Sequence, residues 1–226
     1  MDDATREKLI NYLGSFVTPE RAAKVQQVLE KRTRHITVVM EDFENSLNVS
    51  AVLRSCEAMG VQDVHIIENQ FRNKLSAYVA KGGSKWLTVT KHNEHESTNS
   101  SRCLQLLRDA GYQIWVTSPD QSAADLNDVD LDSKVALVFG TEFDGASKEV
   151  LEMADKRVCL PMQGFTESYN VSVSVALCLH VLLRKLRDSE IDWCMSEEEK
   201  KQLTLEWYRK IVRRSDIHEV RFFSGI

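Results

Sequence analysis

Short apolar runs alternate along the chain with longer segments in which hydrophobic residues recur every three or four positions. Because short apolar runs bounded by turn residues are typical of buried strands, each run predicts a strand. The predicted strands are 36–40, 64–67, 87–89, 113–117, 135–139 and 158–160. Strands separated by helical segments favour an α/β fold, with a mostly parallel sheet and helices on both faces.

The helical segments carry start and stop signals. Thr18 is a predicted cap with Pro19 as the first helical residue, and Ser196 with Glu199 forms a capping box before a late amphipathic helix. Asn48 is predicted to lie in a loop just ahead of another helix. The remaining helices are predicted at 4–13, 19–32, 49–60, 100–110 and 147–154, and from Asn170 onward.

The composition is that of a globular protein. The chain has 226 residues, 28% of them charged, and no low-complexity tract, which predicts one domain with or without appended helices. The longest apolar run, 171–183, is interrupted by serines and His180 and is shorter than the roughly 20 residues of a membrane span. The N-terminus lacks a signal-peptide pattern, so we expect a cytoplasmic protein that does not contact a membrane.

The cysteines and histidines do not form a metal-binding pattern. Five scattered cysteines without a C-x-x-C pair are expected to be small core residues. His92 and His95 are three residues apart, but no cysteine or carboxylate framework accompanies them, so we expect no metal. His180 lies in an apolar helical segment, where we expect a hydrogen-bonded core histidine.

The net charge of −5 argues against a polyanionic partner, but the cations are clustered. Such clusters are common on solvated helix faces, and they are also what binding to a nucleic-acid phosphate chain requires. One cluster contains Arg21, Lys24, Lys31, Arg32 and Arg34, and the other contains Arg209, Lys210, Arg213 and Arg214.

Polar loops follow several predicted strands, at the edge where parallel sheets bind ligands. The turn 140–145 lacks the lysine of a Walker loop and the chain lacks G-x-G-x-x-G, which excludes the usual nucleoside triphosphate and dinucleotide signatures. The residues at these strand ends that could carry chemistry are Asn48, Arg54, Glu142 and 168–170.

Three segments resemble the three motifs of the SPOUT superfamily of methyltransferases, in its TrmH (SpoU) branch. The first is similar to N-x-x-x-x-x-R, with Asn48 and Arg54. The second is similar to F-G-x-E-x-x-G, and the third to P-M-x-G-x-x-x-S-x-N-V-S-V. These motifs fall on Phe139, Gly140, Glu142 and Gly145, and on Pro161, Met162, Gly164, Ser168, Asn170 and Val171–Val173.

The resemblance implies a C-terminal trefoil knot, a homodimer, and S-adenosylmethionine as cofactor. It divides the chain into an N-terminal helical extension (1–34), a SPOUT domain (35–190) and a C-terminal helical extension (191–226). The implied cofactor-binding residues are Thr117, Gly140, Leu160, Met162 and Tyr169. Arg54 is the implied catalytic residue, assisted by Asn48, Glu142, Ser168 and Asn170.

The reaction implied is methylation of a ribose 2′-hydroxyl in RNA, with guanosine 18 of the tRNA D-loop as the first candidate. An arginine side chain is effectively always protonated, so we expect Arg54 to stabilise the developing alkoxide as a cation and not to act as a base. The alternatives are ribosomal RNA 2′-O-methylation and a non-catalytic RNA-binding protein. Many relatives carry Asp-Pro-x-Asn where this chain has 45–48, and leucine is common at Tyr169.

Overall fold

The computed structural model describes residues 1–72, 82–94, 98–120 and 122–225. The chain forms two compact units. The larger unit is Thr33–Trp193, and the smaller unit combines Met1–Arg32 with Cys194–Ile226. The two segments outside the larger unit therefore pack together as one helical body.

The larger unit contains a seven-stranded sheet in which every described strand pair is parallel. The spatial order of the strands is β3-β2-β1-β6-β4-β7-β5. The short strand β5 was not predicted, because its two residues lie in a polar, acidic stretch. The strands are β1 (Ile36–Glu41), β2 (Asp63–Ile67), β3 (Thr88–His92), β4 (Tyr112–Thr117), β5 (Ala124–Asp125), β6 (Lys134–Phe139) and β7 (Lys156–Cys159).

The larger unit contains four α-helices and one 3₁₀ turn, and the smaller unit contains four more α-helices, all within the described ranges. In the larger unit they are α3 (Ser46–Met59), the 3₁₀ turn Gly83–Trp86, α4 (Asn99–Asp109), α5 (Lys148–Glu152) and α6 (Val171–Asp188). In the smaller unit they are α1 (Asp3–Gly14), α2 (Pro19–Leu29), α7 (Glu197–Ile211) and α8 (Ser215–Ser224).

The sheet is buried on both faces, as parallel sheets generally are. Alternate residues of β1 point to opposite sides, so Val38 joins one cluster and Val39 joins the other. The first cluster lies under α3 and α6 and includes Leu53 and Leu179. The second lies under α4 and α5 and includes Leu104. The prediction of a parallel α/β sheet with helices on both faces is confirmed.

Helix α3 begins earlier than the sequence pattern indicated. Asn45 is its N-cap, and the Asn45 Oδ1 accepts a hydrogen bond from the Leu47 amide at 2.9 Å. Asn48 therefore lies in the first helical turn, so the expectation of a loop at this position was wrong. The helix ends as predicted at Gly60, whose φ of 92° is the left-handed conformation that favours glycine.

In the smaller unit, α7 packs against both α1 and α2. The predicted capping box of Ser196 and Glu199 is present at its start. Arg32, one of the clustered cations, is buried, and its guanidinium lies 5.5 Å from the centre of the Trp207 ring. Helix α8 was not predicted, because its N-cap Arg214 adopts φ 58° and provides no side-chain cap to recognise.

Two expectations about single residues were wrong. His180 is exposed on α6 and is not a core histidine. Cys194 is exposed, whereas Cys56, Cys103 and Cys178 are buried as expected, and all five cysteines are free thiols. His95, which was considered in the sequence, lies outside the described residues. Over the described part of the chain, no helix is both long and apolar enough to span a membrane.

Candidate active site

Three neighbouring strands end beside one another at the carboxyl edge of the sheet. Strands β6, β4 and β7 are adjacent and parallel. Thr117 is the last residue of β4, Gly140 follows β6 and Leu160 follows β7. Three of the five predicted cofactor-binding residues therefore lie at adjoining strand ends, where open α/β sheets bind ligands.

The loop after β6 is a tight turn that requires glycine. Thr141 and Gly145 exchange backbone hydrogen bonds of 2.9 and 3.2 Å, which folds the chain back on itself. A Cβ atom at Gly140 would lie 2.1 Å from backbone atoms of Gly145 and Ala146, and Gly145 itself has φ 72°. No larger side chain fits at Gly140 without moving the turn, which explains the glycines of the second motif.

A series of side-chain hydrogen bonds links the three motif segments. The Asn48 side-chain amide on α3 donates to Glu142 Oε1 in the turn after β6. The Asn170 amide, at the N-cap of α6, donates to Asn48 Oδ1 at 3.3 Å. Asn170 Oδ1 in turn accepts from the amide and the hydroxyl of Ser172, at 3.0 and 2.7 Å. Residues separated by more than 120 positions thus meet at one point, as the motif pattern predicted.

Arg54 and Ser168 are not part of this series of hydrogen bonds. Arg54 lies on the exposed side of α3, six residues after Asn48, which corresponds to about 9 Å along the helix axis. Within the described ranges neither Arg54 nor Ser168 has a hydrogen-bond or ion-pair partner. Both side chains are therefore available to an external ligand.

The loop between β7 and α6 exposes large apolar side chains. Phe165 is fully exposed and Tyr169 is 43% exposed, and Phe143 in the neighbouring turn is 88% exposed. Met162 is half-buried, and Leu160 packs against the core of the larger unit. Several large apolar side chains exposed on neighbouring loops are typical of a surface that a ligand or partner covers.

A buried carboxylate next to the site was missed by the sequence analysis. Glu41, the last residue of β1, is 2% exposed and accepts hydrogen bonds from Ser100 Oγ at 2.7 Å and from Ser147. The Ser147 amide and hydroxyl donate at 2.9 and 2.7 Å. Ser147 caps α5 directly after the glycine turn, so Glu41 fixes the end of that turn. In the sequence, the only indication of this buried carboxylate was an acidic residue at the end of an apolar strand.

Comparison with known proteins agrees with this architecture. Residues 35–180 match the model of the SpoU rRNA Methylase family. A relative from Borreliella burgdorferi, named tRNA (guanosine(18)-2′-O)-methyltransferase, is 39% identical over 94% of this chain and 95% of its own. A solved TrmH/SpoU tRNA modifying enzyme from Aquifex aeolicus superposes with a TM-score of 0.76 at 28% identity, over 86% of this chain and 98% of the other.

A further similar structure is the SpoU methyltransferase AviRb from Streptomyces viridochromogenes in complex with AdoMet. It has a TM-score of 0.60 at 18% identity, over 72% of this chain and 65% of the other, which supports the likeness of fold.

The parallel sheet and the three motif segments joined at its edge define an RNA methyltransferase of the α/β class. The family model covers well over half of the chain, and the chain belongs to the SpoU rRNA Methylase family. The predictions of the family, of S-adenosylmethionine-dependent methylation and of that cofactor are confirmed.

Proposed function

We propose that this protein methylates the ribose 2′-hydroxyl of guanosine 18 in the D-loop of tRNA. The observation that carries this proposal is the 39% identity to the Borreliella burgdorferi relative of that name, over nearly the full length of both chains. The smaller helical unit lies outside the family match of residues 35–180, yet this relative spans most of it as well. Similarity beyond the methylase domain supports a shared RNA substrate.

The cofactor is proposed to bind at the ends of β6, β4 and β7. Thr117, Gly140, Leu160, Met162 and Tyr169 are the residues that would hold it. The fit rests on the tight turn at Gly140, whose backbone leaves no room for a side chain, and on the exposed loop carrying Tyr169. When bound, S-adenosylmethionine supplies an electrophilic methyl group. The half-buried Met162 and the packed Leu160 would exclude water from the methyl group.

Arg54 is the proposed catalytic residue. Its guanidinium is exposed and unpartnered within the described residues, so it is free to contact a ribose oxygen and an adjacent phosphate. As a permanent cation it would stabilise negative charge developing on the 2′-oxygen, and the proton would leave to phosphate or water. Asn48, held by Glu142 and Asn170, would orient the ribose, with Ser168 donating from the loop.

Exposed cations of the smaller unit are proposed to bind tRNA phosphates. Arg32 is buried against Trp207, and Arg209 is paired with Glu219 through bonds of 2.6 and 3.0 Å, so these two serve the fold. The remaining exposed cations are free to neutralise phosphate charge. Among them are Arg21, Lys24, Lys31 and Arg213.

A homodimer is proposed to form through α6. Val173 and Leu177 are 45% and 38% exposed and lie four residues apart on the same helix face. A two-fold contact between equal apolar faces would cover both and would bring the loop before α6 to the interface. Light scattering of the Leu177→Glu variant tests this proposal, and a monomer is expected. A variant that remains a dimer would exclude α6 as the dimer interface.

A trefoil knot is proposed within the larger unit. Strand β7 lies between β4 and β5, although β4 and β5 are connected directly along the chain. The β4–β5 connection must therefore pass the end of β7, where the Ser118 amide bonds to Val158 O at 3.0 Å. The chain leaving β7 for α6 would thread this loop. An experimental structure that resolves residues 112–188 and shows that the chain after β7 does not pass through the β4–β5 loop would contradict the knot.

The domain boundaries and the cellular location belong to the same proposal. We propose a helical extension at each end of a SPOUT domain, with 1–34 and 191–226 flanking 35–190, and a cytoplasmic enzyme acting on cytoplasmic tRNA. Ribosomal RNA is the second candidate substrate, because the chain belongs to a family named for rRNA methylases.

The test is incubation of the protein with labelled S-adenosylmethionine and, separately, with unmodified tRNA transcripts and ribosomal RNA. Label is expected as 2′-O-methylguanosine at position 18 of tRNA. A tRNA with guanosine 18 replaced by 2′-deoxyguanosine is the matched control, because it lacks only the accepting oxygen. Transfer to ribosomal RNA alone would favour the second candidate, and cofactor binding without transfer to either would contradict the tRNA proposal.

A further inference from the structure

Three potential metal ligands converge on the side of the sheet that faces α4. His65 lies on β2, His92 ends β3 and Cys103 lies on α4. One ligand atom from each lies within 4.8 Å of the other two. The sequence analysis paired His92 with His95 and found no supporting cysteine, because the true neighbours are 27 and 11 residues away.

The strand register explains why these side chains meet. His92 is directly opposite Ile67, and His65 is two residues before Ile67, so both histidines share the face of the sheet on which Ile67 lies. Ile67 packs in the same cluster as Cys103. The two imidazole rings are stacked with centroids 5.3 Å apart, and His65 Nδ1 lies 3.0 Å from His92 Nε2.

The two imidazoles already face each other through ring nitrogens. A neutral imidazole has one protonated and one unprotonated nitrogen, and across the 3.0 Å separation one ring donates to the other, so binding both nitrogens to one ion requires the donor ring to take its other tautomer. Burial raises the pKa of the Cys103 thiol to about 12. Binding a dication would therefore displace one proton from the thiol to solvent and form a metal–thiolate bond.

We propose that His65, His92 and Cys103 bind one transition-metal ion of the kind that prefers imidazole and thiolate, such as Zn²⁺. Zinc bonds of about 2.0–2.1 Å to nitrogen and about 2.3 Å to sulfur place tetrahedral ligand atoms roughly 3.3–3.6 Å apart. The two nitrogens would separate by a few tenths of an ångström, and the sulfur would move inward.

Glu41 and Glu68 already have other partners, so the fourth position would be left to water or to Glu94, whose charge acts on His92. Glu41 accepts from Ser100 and Ser147, and Glu68 accepts from Lys91 at 2.7 Å and from Asn93 at 2.8 Å. The ion would join the edge strand β3 to β2 and α4. Its effect is therefore structural, and it is independent of the proposed methyl transfer.

The test is titration of the full chain, stripped of metal and fully reduced, with Co²⁺ and then Zn²⁺. One Co²⁺ per chain is expected, with a thiolate charge-transfer absorption that Zn²⁺ abolishes. Zn²⁺ should also raise Tm. His92→Gln is expected to weaken binding at least about tenfold, since loss of even an outer-shell partner costs that much.

Cys103→Ser removes the thiolate and is expected to abolish the charge-transfer absorption. Cys178→Ser is the matched control, because Cys178 is also buried with its pKa raised to about 12 but lies on α6. Cys194→Ser controls for binding at the exposed thiol. The proposal is overturned if wild type binds no Co²⁺ at micromolar concentration, or if Cys103→Ser keeps the wild-type spectrum while remaining folded.

Discussion

The carboxyl edge of the sheet has two halves, which differ in how far their polar side chains are hydrogen-bonded within the protein. At the ends of β1 and β2, each acidic side chain is buried and bonded internally. Glu41 accepts from Ser100 and Ser147, and Glu68 pairs with Lys91. Asp42, which adopts φ 49°, accepts from the backbone amides of Asn69 and Gln70 at 2.7 and 2.8 Å.

At the ends of β6, β4 and β7, not all polar side chains have a hydrogen-bond partner among the described residues. Glu142 is held by Asn48, but Ser168 has no side-chain partner among the described residues, and Phe165 and Tyr169 are exposed. Arg54, farther along the helix that carries Asn48, also has no side-chain partner there. A buried polar group without a partner is costly, and the acidic groups of the first half are all bonded internally, which fits a structural role. The second half tolerates free groups because a ligand can satisfy them. The difference separates the scaffold from the proposed binding site on a single sheet edge.

The largest effect is expected from Arg54→Ala. Because Arg54 is proposed to stabilise the charge on the reacting oxygen, its loss should lower single-turnover methyl transfer about 10²–10³-fold at saturating cofactor. Arg102→Ala is the matched control, since Arg102 is an exposed arginine on α4, on the other face of the sheet. Wild-type transfer by Arg54→Ala, or an equal loss in Arg102→Ala, would remove the direct role of Arg54.

Gly140→Ala is expected to destabilise the fold by about 3 kcal/mol, because its Cβ would overlap the backbone of Gly145 and Ala146. Gly164→Ala serves as control: its Cβ would meet nothing nearer than Thr166 N at 4.0 Å. Urea unfolding measures both variants. Equal free energies of unfolding for the two variants would show that the turn after β6 can shift to accommodate a Cβ atom at little cost.

A pair of carboxylate variants compares the two halves directly. Glu41→Gln should cost about 2 kcal/mol of stability, because an amide cannot replace a carboxylate that accepts three hydrogen bonds. Glu142→Gln should leave stability within about 0.5 kcal/mol and lower methyl transfer instead. Thermal unfolding and single-turnover assays measure the two effects. The contrast fails if Glu142→Gln is the more destabilising change.

The smallest effect is expected from the helix caps. Asn170→Ala and Asn45→Ala each remove an N-cap and should each cost about 1 kcal/mol, or roughly 2–4 °C in Tm. Only Asn170 also bonds to Asn48. Asn170→Ala should therefore lower methyl transfer further than Asn45→Ala does, and matching activities would assign Asn170 to capping alone.

Much of the sheet could be predicted because buried strands are short apolar runs and the helix caps are local signals. Strand β5 and helix α8 could not, because one is two polar residues and the other begins without a side-chain cap. His180 was misassigned because an apolar helical segment does not show which of its sides faces solvent. The start of α3 was misplaced because Ser46 and Leu47 do not extend the apolar period of the helix.

The sequence by itself determined the parallel α/β class, the three motif segments and the family, since these depend on local periodicity and on residue spacing within short stretches. Tertiary structure decided which distant residues meet. The contact of Asn48 with Glu142 and Asn170, the burial of Glu41 and the convergence of His65, His92 and Cys103 depend on strand order and register. Pairing between strands is a long-range choice of the folded chain, and no local pattern of residues encodes it directly.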